Sequence, residues 1–123
     1  MNLYCFRFAP ANGRPVRVGL IGAGKFGSMV LAQAQRIQGL NIVAIADLDV
    51  GKAKESLQRL GWPKERYAAN SCGDAIRTGG AFVTDDAGAL FECGEIECII
   101  EATGHPIAGT RHALGAIEHN KHV

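Results

Sequence analysis

Residues 16–29, VRVGLIGAGKFGSM, carry the feature that most constrains this chain: three glycines spaced G-x-G-x-x-G where an apolar run stops and a helical period begins. Glycine loses more backbone freedom on folding than any other residue, so three in one short stretch need a reason. Val16 to Ile21 is nearly continuous in apolar side chains, as a strand buried on both faces requires. From Lys25 to Gln38 the apolar positions Phe26, Met29, Val30, Ala34 and Ile37 fall on one helical stripe, with Gly39 at the stop. In such a strand–turn–helix setting, the first glycine permits the tight turn and the second admits a pyrophosphate close to the backbone. The third lets helix and strand pack closely. Gly22, Gly24 and Gly27 occupy these positions, and the N–H groups from Gly24 through Lys25 and Phe26 to Gly27 are expected to face phosphates. A Cβ at Gly24 would fill space that a phosphate needs.

The acid expected downstream is also present. NIVAIAD, residues 41–47, predicts a second buried strand, and Asp47 at its end follows Gly27 at the spacing that lets a carboxylate accept the adenosine-ribose hydroxyls of a dinucleotide. A carboxylate there repels a 2′-phosphate, which favours NAD over NADP. Lys52 and Lys54 could meet such a phosphate, although a solvated helix face accounts for both.

Strand and helix patterns continue to alternate. Asp49 predicts a cap for a helix to about Leu60, with Ala53, Leu57 and Leu60 inward; Trp62–Pro63 then forbids continuation. A short helix over Cys72–Thr78, a third strand over 81–84, a helix from Asp86 to Cys93 and a fourth strand over 95–103 follow. Pro106 stands at the first position of a last helix with the stripe Ile107, Thr110, Leu114 and Ile117, and KHV starts a fifth strand. This order predicts an α/β fold: a Rossmann-type, doubly wound parallel sheet of about five strands with right-handed crossovers, truncated at the start of the last strand. Residues 1–14 read as a tail and 15–123 as one dinucleotide-binding domain that ends before its sheet is complete. An unpaired edge of that kind predicts marginal stability.

In the expected strand order the fourth strand lies beside the first, so ATGHP, residues 102–106, borders the same crevice. Thr103 and Gly104 are expected at the nicotinamide half of a bound cofactor. His105 reads as a helix-start residue. Glu101, which interrupts an apolar run, reads either as a crevice carboxylate or as a partner for Arg17 or Arg111.

Composition excludes several alternatives. The 123 residues are 47% hydrophobic and 20% charged with a net charge of +1, which gives no electrostatic case for nucleic acid or an anionic membrane. No apolar stretch is long enough to span a bilayer. Cys5, Cys72, Cys93 and Cys98 lack C-x-x-C or metal-ligand spacing, so reduced thiols in a cytoplasmic protein are expected. His112 and His119, seven apart, do not suggest a metal site.

VRVGLIGAGKFGSM, IVAIADL, FVTDD and IECIIEATGHPIAGTRHALGAIEHNKHV together resemble the amino-terminal domain of homoserine-dehydrogenase-related oxidoreductases. Within these they resemble the group with a carboxy-terminal SAF domain, which includes 1-deoxy-D-xylulose 5-phosphate reductoisomerase-like enzymes. The ATG-x-P turn and NKHV are also similar to the sugar-oxidoreductase family typified by glucose–fructose oxidoreductase. The resemblance implies an NAD(P)-binding domain with Gly22, Gly24, Gly27, Thr103 and Gly104 at cofactor-contacting positions, and hydride transfer at a carbonyl or alcohol carbon of a small molecule in the full-length enzyme; a homo-oligomer is a separate expectation that the sequence itself does not decide. Asp47 departs from the serine that leads into arginines in the reductoisomerase-like enzymes, which counts against their NADPH preference and leaves NAD favoured with NADP as the alternative. The family's catalytic and substrate-binding residues lie past the matched stretch, and no catalytic residue is assigned. Two other readings share the glycine turn and the acid: a regulatory dinucleotide-sensing module of a potassium-transport regulator, and a partial reading frame without activity.

Overall fold

A computed structural model of the chain describes residues 13–123. The expected tail falls almost wholly outside these residues, as does Cys5. Four parallel strands form one sheet: β1 (Val16–Ile21), β2 (Leu40–Ala46), β3 (Phe82–Thr84) and β4 (Cys98–Glu101), in the order β3-β2-β1-β4. The chain runs outward from β1 to β2 and β3, then returns to the other side of β1, so the order reverses between β1 and β4. In open parallel sheets, the crevice at that reversal is where ligands bind. The fifth strand is present only as a bridge from His122 to Cys98.

Both faces of the sheet are covered, which explains why its strands read as continuous apolar runs. Helices α1 (Lys25–Ala34) and α2 (Val50–Arg59) pack on one face over Leu20, Ile42 and Ile45. Helices α3 (Cys72–Thr78), α4 (Gly88–Glu92) and α5 (Pro106–Glu118) cover the other over Ile21, Val43 and Ile99. The Asp49 side chain caps α2 by accepting from Lys52 N–H at 3.0 Å. A 3-10 turn, Lys64–Tyr67, lies between α2 and α3.

Two helices depart from the faces their apolar stripes predict, α1 in part and α5 throughout. In α1, Ala34 is buried and Val30 packs against the core as expected, joined by Gly27 and Leu31, but Phe26 and Met29 are 66% and 59% exposed. Close contact of Gly27 with the glycine turn sets the rotation, and Leu31 and Ala34 follow it inward. The helix also ends at Ala34 rather than Gln38, because two tight turns lead into Gly39, whose φ of +88° returns the chain to β2. In α5, Ile107, Leu114 and Ile117 point outward. Its inner face is small instead: a Cβ on Gly115 would lie 2.7 Å from the Phe91 ring, and Ala116 is fully buried. Small residues let α5 approach closely where a leucine stripe could not.

The cysteines also differ from expectation. Cys72, at the start of α3, and Cys93, just after α4, are joined in a disulfide with Cα atoms 6.2 Å apart. Both helix ends lie on the same sheet face, a proximity that a separation of 21 residues does not reveal. Among the described residues no helix is long and apolar enough to cross a membrane.

Candidate functional site

The site is built where β1 ends. Gly22 has φ +93°, and a Cβ there would come within 2.9 Å of the Ala102 carbonyl carbon and of Thr103 N, so the turn after β1 lies directly against the turn after β4. A Cβ on Gly27 would lie 1.9 Å from the Gly22 carbonyl oxygen; only glycine lets α1 start this close to the turn. Gly24 differs from both. A Cβ there meets nothing within 4 Å, and its φ of −71° suits any residue. The protein's own packing gives no reason for glycine at this position.

Gly24 is the N-cap of α1 with no side chain to serve as cap, and no acid occupies the first turn. The helical ladder starts with Ser28 N–H donating to the Gly24 carbonyl at 2.8 Å, which leaves the N–H groups of Lys25, Phe26 and Gly27 ahead of it. The helix dipole adds partial positive charge there. Ser28 Oγ donates back to the Ala23 carbonyl at 3.1 Å and secures the turn from below.

Asp47 belongs to the same unit. One carboxylate oxygen accepts from Ala23 N–H at 2.8 Å and the other from Asp49 N–H at 2.9 Å, so the acid after β2 is tied to the glycine turn after β1. Ala23, Gly24, Lys25, Ser28, Asp47 and the α2 residues Lys52, Ser56 and Arg59 line an open cleft of about 550 Å³. Lys52 leans toward Asp49, its Nζ 3.8 Å from the carboxylate, with most of its side chain in solvent. Lys54 does not line the cleft.

Thr103 and Gly104 lie across from Gly22, both exposed. His105 caps α5: its Nδ1 accepts from Ala108 N–H at 3.3 Å. Glu101 pairs with neither arginine suggested by the sequence. Arg17 binds Glu95, whereas Glu101 accepts from Thr103 N–H at 3.3 Å and faces His112 Nδ1 at 3.1 Å. Burial pushes the Glu101 carboxyl up, but hydrogen bonds from Thr103 and His112 together outweigh it and hold the group below the ordinary glutamate range. The sequence signal for this pair was the run of small residues on α5 around His112, which marks the helix's true inner face.

Among the described residues, no group of three or more His, Cys, Asp or Glu side chains could hold a metal ion. The structure thus brings Gly22, Gly24, Lys25, Phe26, Gly27 and Asp47 to one helix mouth, with Thr103 and Gly104 on the facing turn.

No protein-family model matches the sequence, and no curated protein matches it. Solved structures do share the fold. Myo-inositol dehydrogenase from Lactobacillus casei, in complex with NAD(H) and myo-inositol, superposes with a TM-score of 0.66 at 20% identity, over 87% of this chain and 26% of that one. Scyllo-inositol dehydrogenase from the same organism, with NAD(H) and scyllo-inositol, gives 0.65 at 15% identity, over 89% and 27%. Levoglucosan dehydrogenase in complex with NADH gives 0.53 at 23% identity, over 89% and 26%. The chain therefore has the α/β Rossmann-like fold found in these dehydrogenases and spans about a quarter of their length.

Proposed function

We propose that this chain is the NAD-binding domain of an oxidoreductase, related to the homoserine-dehydrogenase-like group with a SAF domain, that moves a hydride to or from a carbonyl or alcohol carbon of a small molecule. The observation that carries this reading is the contrast among the three glycines. Two are required by the protein's own backbone, while Gly24 faces open space at the mouth of a helix whose first amides have no side-chain cap. A pyrophosphate supplies the missing partner for those amides and the missing reason for that glycine.

The rest of the site fits the same cofactor. The N–H groups of Lys25, Phe26 and Gly27 would hold the diphosphate, with the Lys25 ammonium beside it. Each Asp47 oxygen has accepted one backbone N–H and keeps a lone pair for a ribose hydroxyl, and its charge opposes the extra phosphate of NADP. Thr103 and Gly104 would border the nicotinamide half. The cofactor, when bound, supplies the hydride chemistry; these residues bind and orient it. The dehydrogenases that share the fold were solved with NAD(H), which supports the same reading. Calorimetric titration of the folded chain tests it: saturable binding of NAD+ or NADH, tighter than NADP+ or NADPH, is expected. A folded sample that takes up none of the four overturns the proposal.

A further inference from the structure

Glu101 presents a problem that cofactor binding alone does not solve. It is the last residue of β4, only 18% exposed by side chain, at the end of an otherwise apolar run. Burying a carboxylate costs free energy that a well-packed apolar side chain would avoid. Its neighbours show what the charge holds together. It accepts from Thr103 N–H within the turn after β4 and from His112 two helical turns into α5. Because an ionised carboxylate only accepts, the proton of this contact belongs to His112 Nδ1. Gly109, on the same face of α5, leaves room for it: a Cβ there would stand 3.1 Å from Glu101 Oε2.

The connection continues through the turn. Thr103 Oγ1 accepts from His105 N–H at 3.2 Å, and His105 in turn caps α5. The Ala102–Thr103 peptide held in this way is the surface on which Gly22 rests. One carboxylate therefore joins β4, the turn and α5, and the turn it holds is one wall of the glycine loop.

Resting on the reading of the site as a dinucleotide cleft, we propose that Glu101 is a positioning residue. Clasped to His112, it holds the Thr103–Gly104 turn against the glycine loop and so sets affinity for the nicotinamide half of the cofactor, leaving the adenosine half to Asp47. The geometry separates the two halves, because Asp47 is tied to Ala23 and Asp49 and not to the turn after β4.

The test uses the full chain and two probes, NAD+ for the whole site and AMP for the adenosine half. Glu101→Gln and His112→Leu are expected to raise the NAD+ dissociation constant about tenfold with AMP changed less than about twofold. His112→Asn, which restores a donor near the Nδ1 position, is expected to recover most of the loss. Equal weakening of both ligands marks a merely structural role and overturns the proposal, as does unchanged NAD+ affinity. A ligand-free readout keeps this inference separate from the function it rests on. Hydrogen exchange at the Thr103 amide is expected to speed up about tenfold in Glu101→Gln relative to wild type. If wild type binds no NAD+, the proposed function fails and with it the effect on affinity, and the exchange rate then decides only whether Glu101 holds the turn: faster exchange upholds that part and unchanged exchange overturns it.

Discussion

At the scale of single residues, Gly24 and Gly27 make opposite predictions although both belong to one motif. A valine at Gly24 enters open solvent at an ordinary φ and gives up only the N-cap preference for glycine, so Gly24→Val should lower the melting temperature by no more than about 5 °C while NAD+ affinity falls at least about tenfold. Gly27→Ala drives a methyl into the Gly22 carbonyl and should destabilise the fold by about 2 kcal/mol or more through overpacking. Thermal melts and titrations of both variants separate space kept for a ligand from space used by the protein. Asp47 makes a third prediction at this scale. Asp47→Asn keeps one acceptor, for Ala23 N–H, but removes the charge and the acceptor for Asp49 N–H, so NAD+ affinity should fall about tenfold and the preference over NADP+ should narrow, measured as the ratio of the two dissociation constants.

At the scale of elements, β4 is bounded by two carboxylates that the fold holds ionised. Glu97, just before it, lies below the ordinary range because Arg17 N–H and the Arg14 guanidinium bind it. Glu101, at its end, is lowered against the effect of its own burial. Groups whose folded pKa is depressed stabilise the fold above their unfolded value, about 4.3 for glutamate, and lose that contribution as pH falls through the folded value. The urea midpoint should therefore drop between about pH 5 and pH 3, and more gently in a Glu97→Gln, Glu101→Gln double variant. Lys121 acts in the reverse sense. It is 7% exposed and donates to the Cys93 and Ile96 carbonyls at 2.7 and 2.8 Å, and burial pushes its ammonium below the usual lysine range. Its charge costs stability at neutral pH, and that cost fades as pH rises between its folded and unfolded values. Elements were legible in the sequence wherever local chemistry decides them. The glycine turn, the Asp49 cap and the buried runs of β1 and β2 all stand where their residues imply. The inner face of α5, and in part that of α1, was not legible in the apolar stripe, because single backbone approaches at Gly27 and Gly115 set it; on α5 the run of small residues, not the stripe, carried the signal. The same limit hid the Glu101–His112 pair, which exists only once α5 has settled on its small face.

At the scale of the whole molecule, the two sheet faces carry different duties. The cleft lies on the face covered by α1 and α2. The opposite face is cross-linked: Cys72 and Cys93 tie α3 to the end of α4, and Lys121 Nζ binds the Cys93 carbonyl, bringing the end of the described chain to the same corner. The fold also leaves apolar side chains at its surface, with the exposed Met29 and Ile37 lining a groove beside Ile100 of β4. Closing a loop of 21 residues removes unfolded-state entropy worth about 3 kcal/mol in the chain-entropy account. Reduction, or a Cys72→Ser, Cys93→Ser double variant, should lower the melting temperature by roughly 10 °C or more for a chain of this size. Because the bridge and the cleft are on opposite faces, NAD+ affinity measured well below the new melting temperature should change less than about twofold. A large loss of affinity on reduction, with the fold intact, would mean that α3 and α4 shape the cleft from behind the sheet, and the division of labour between the faces would be wrong.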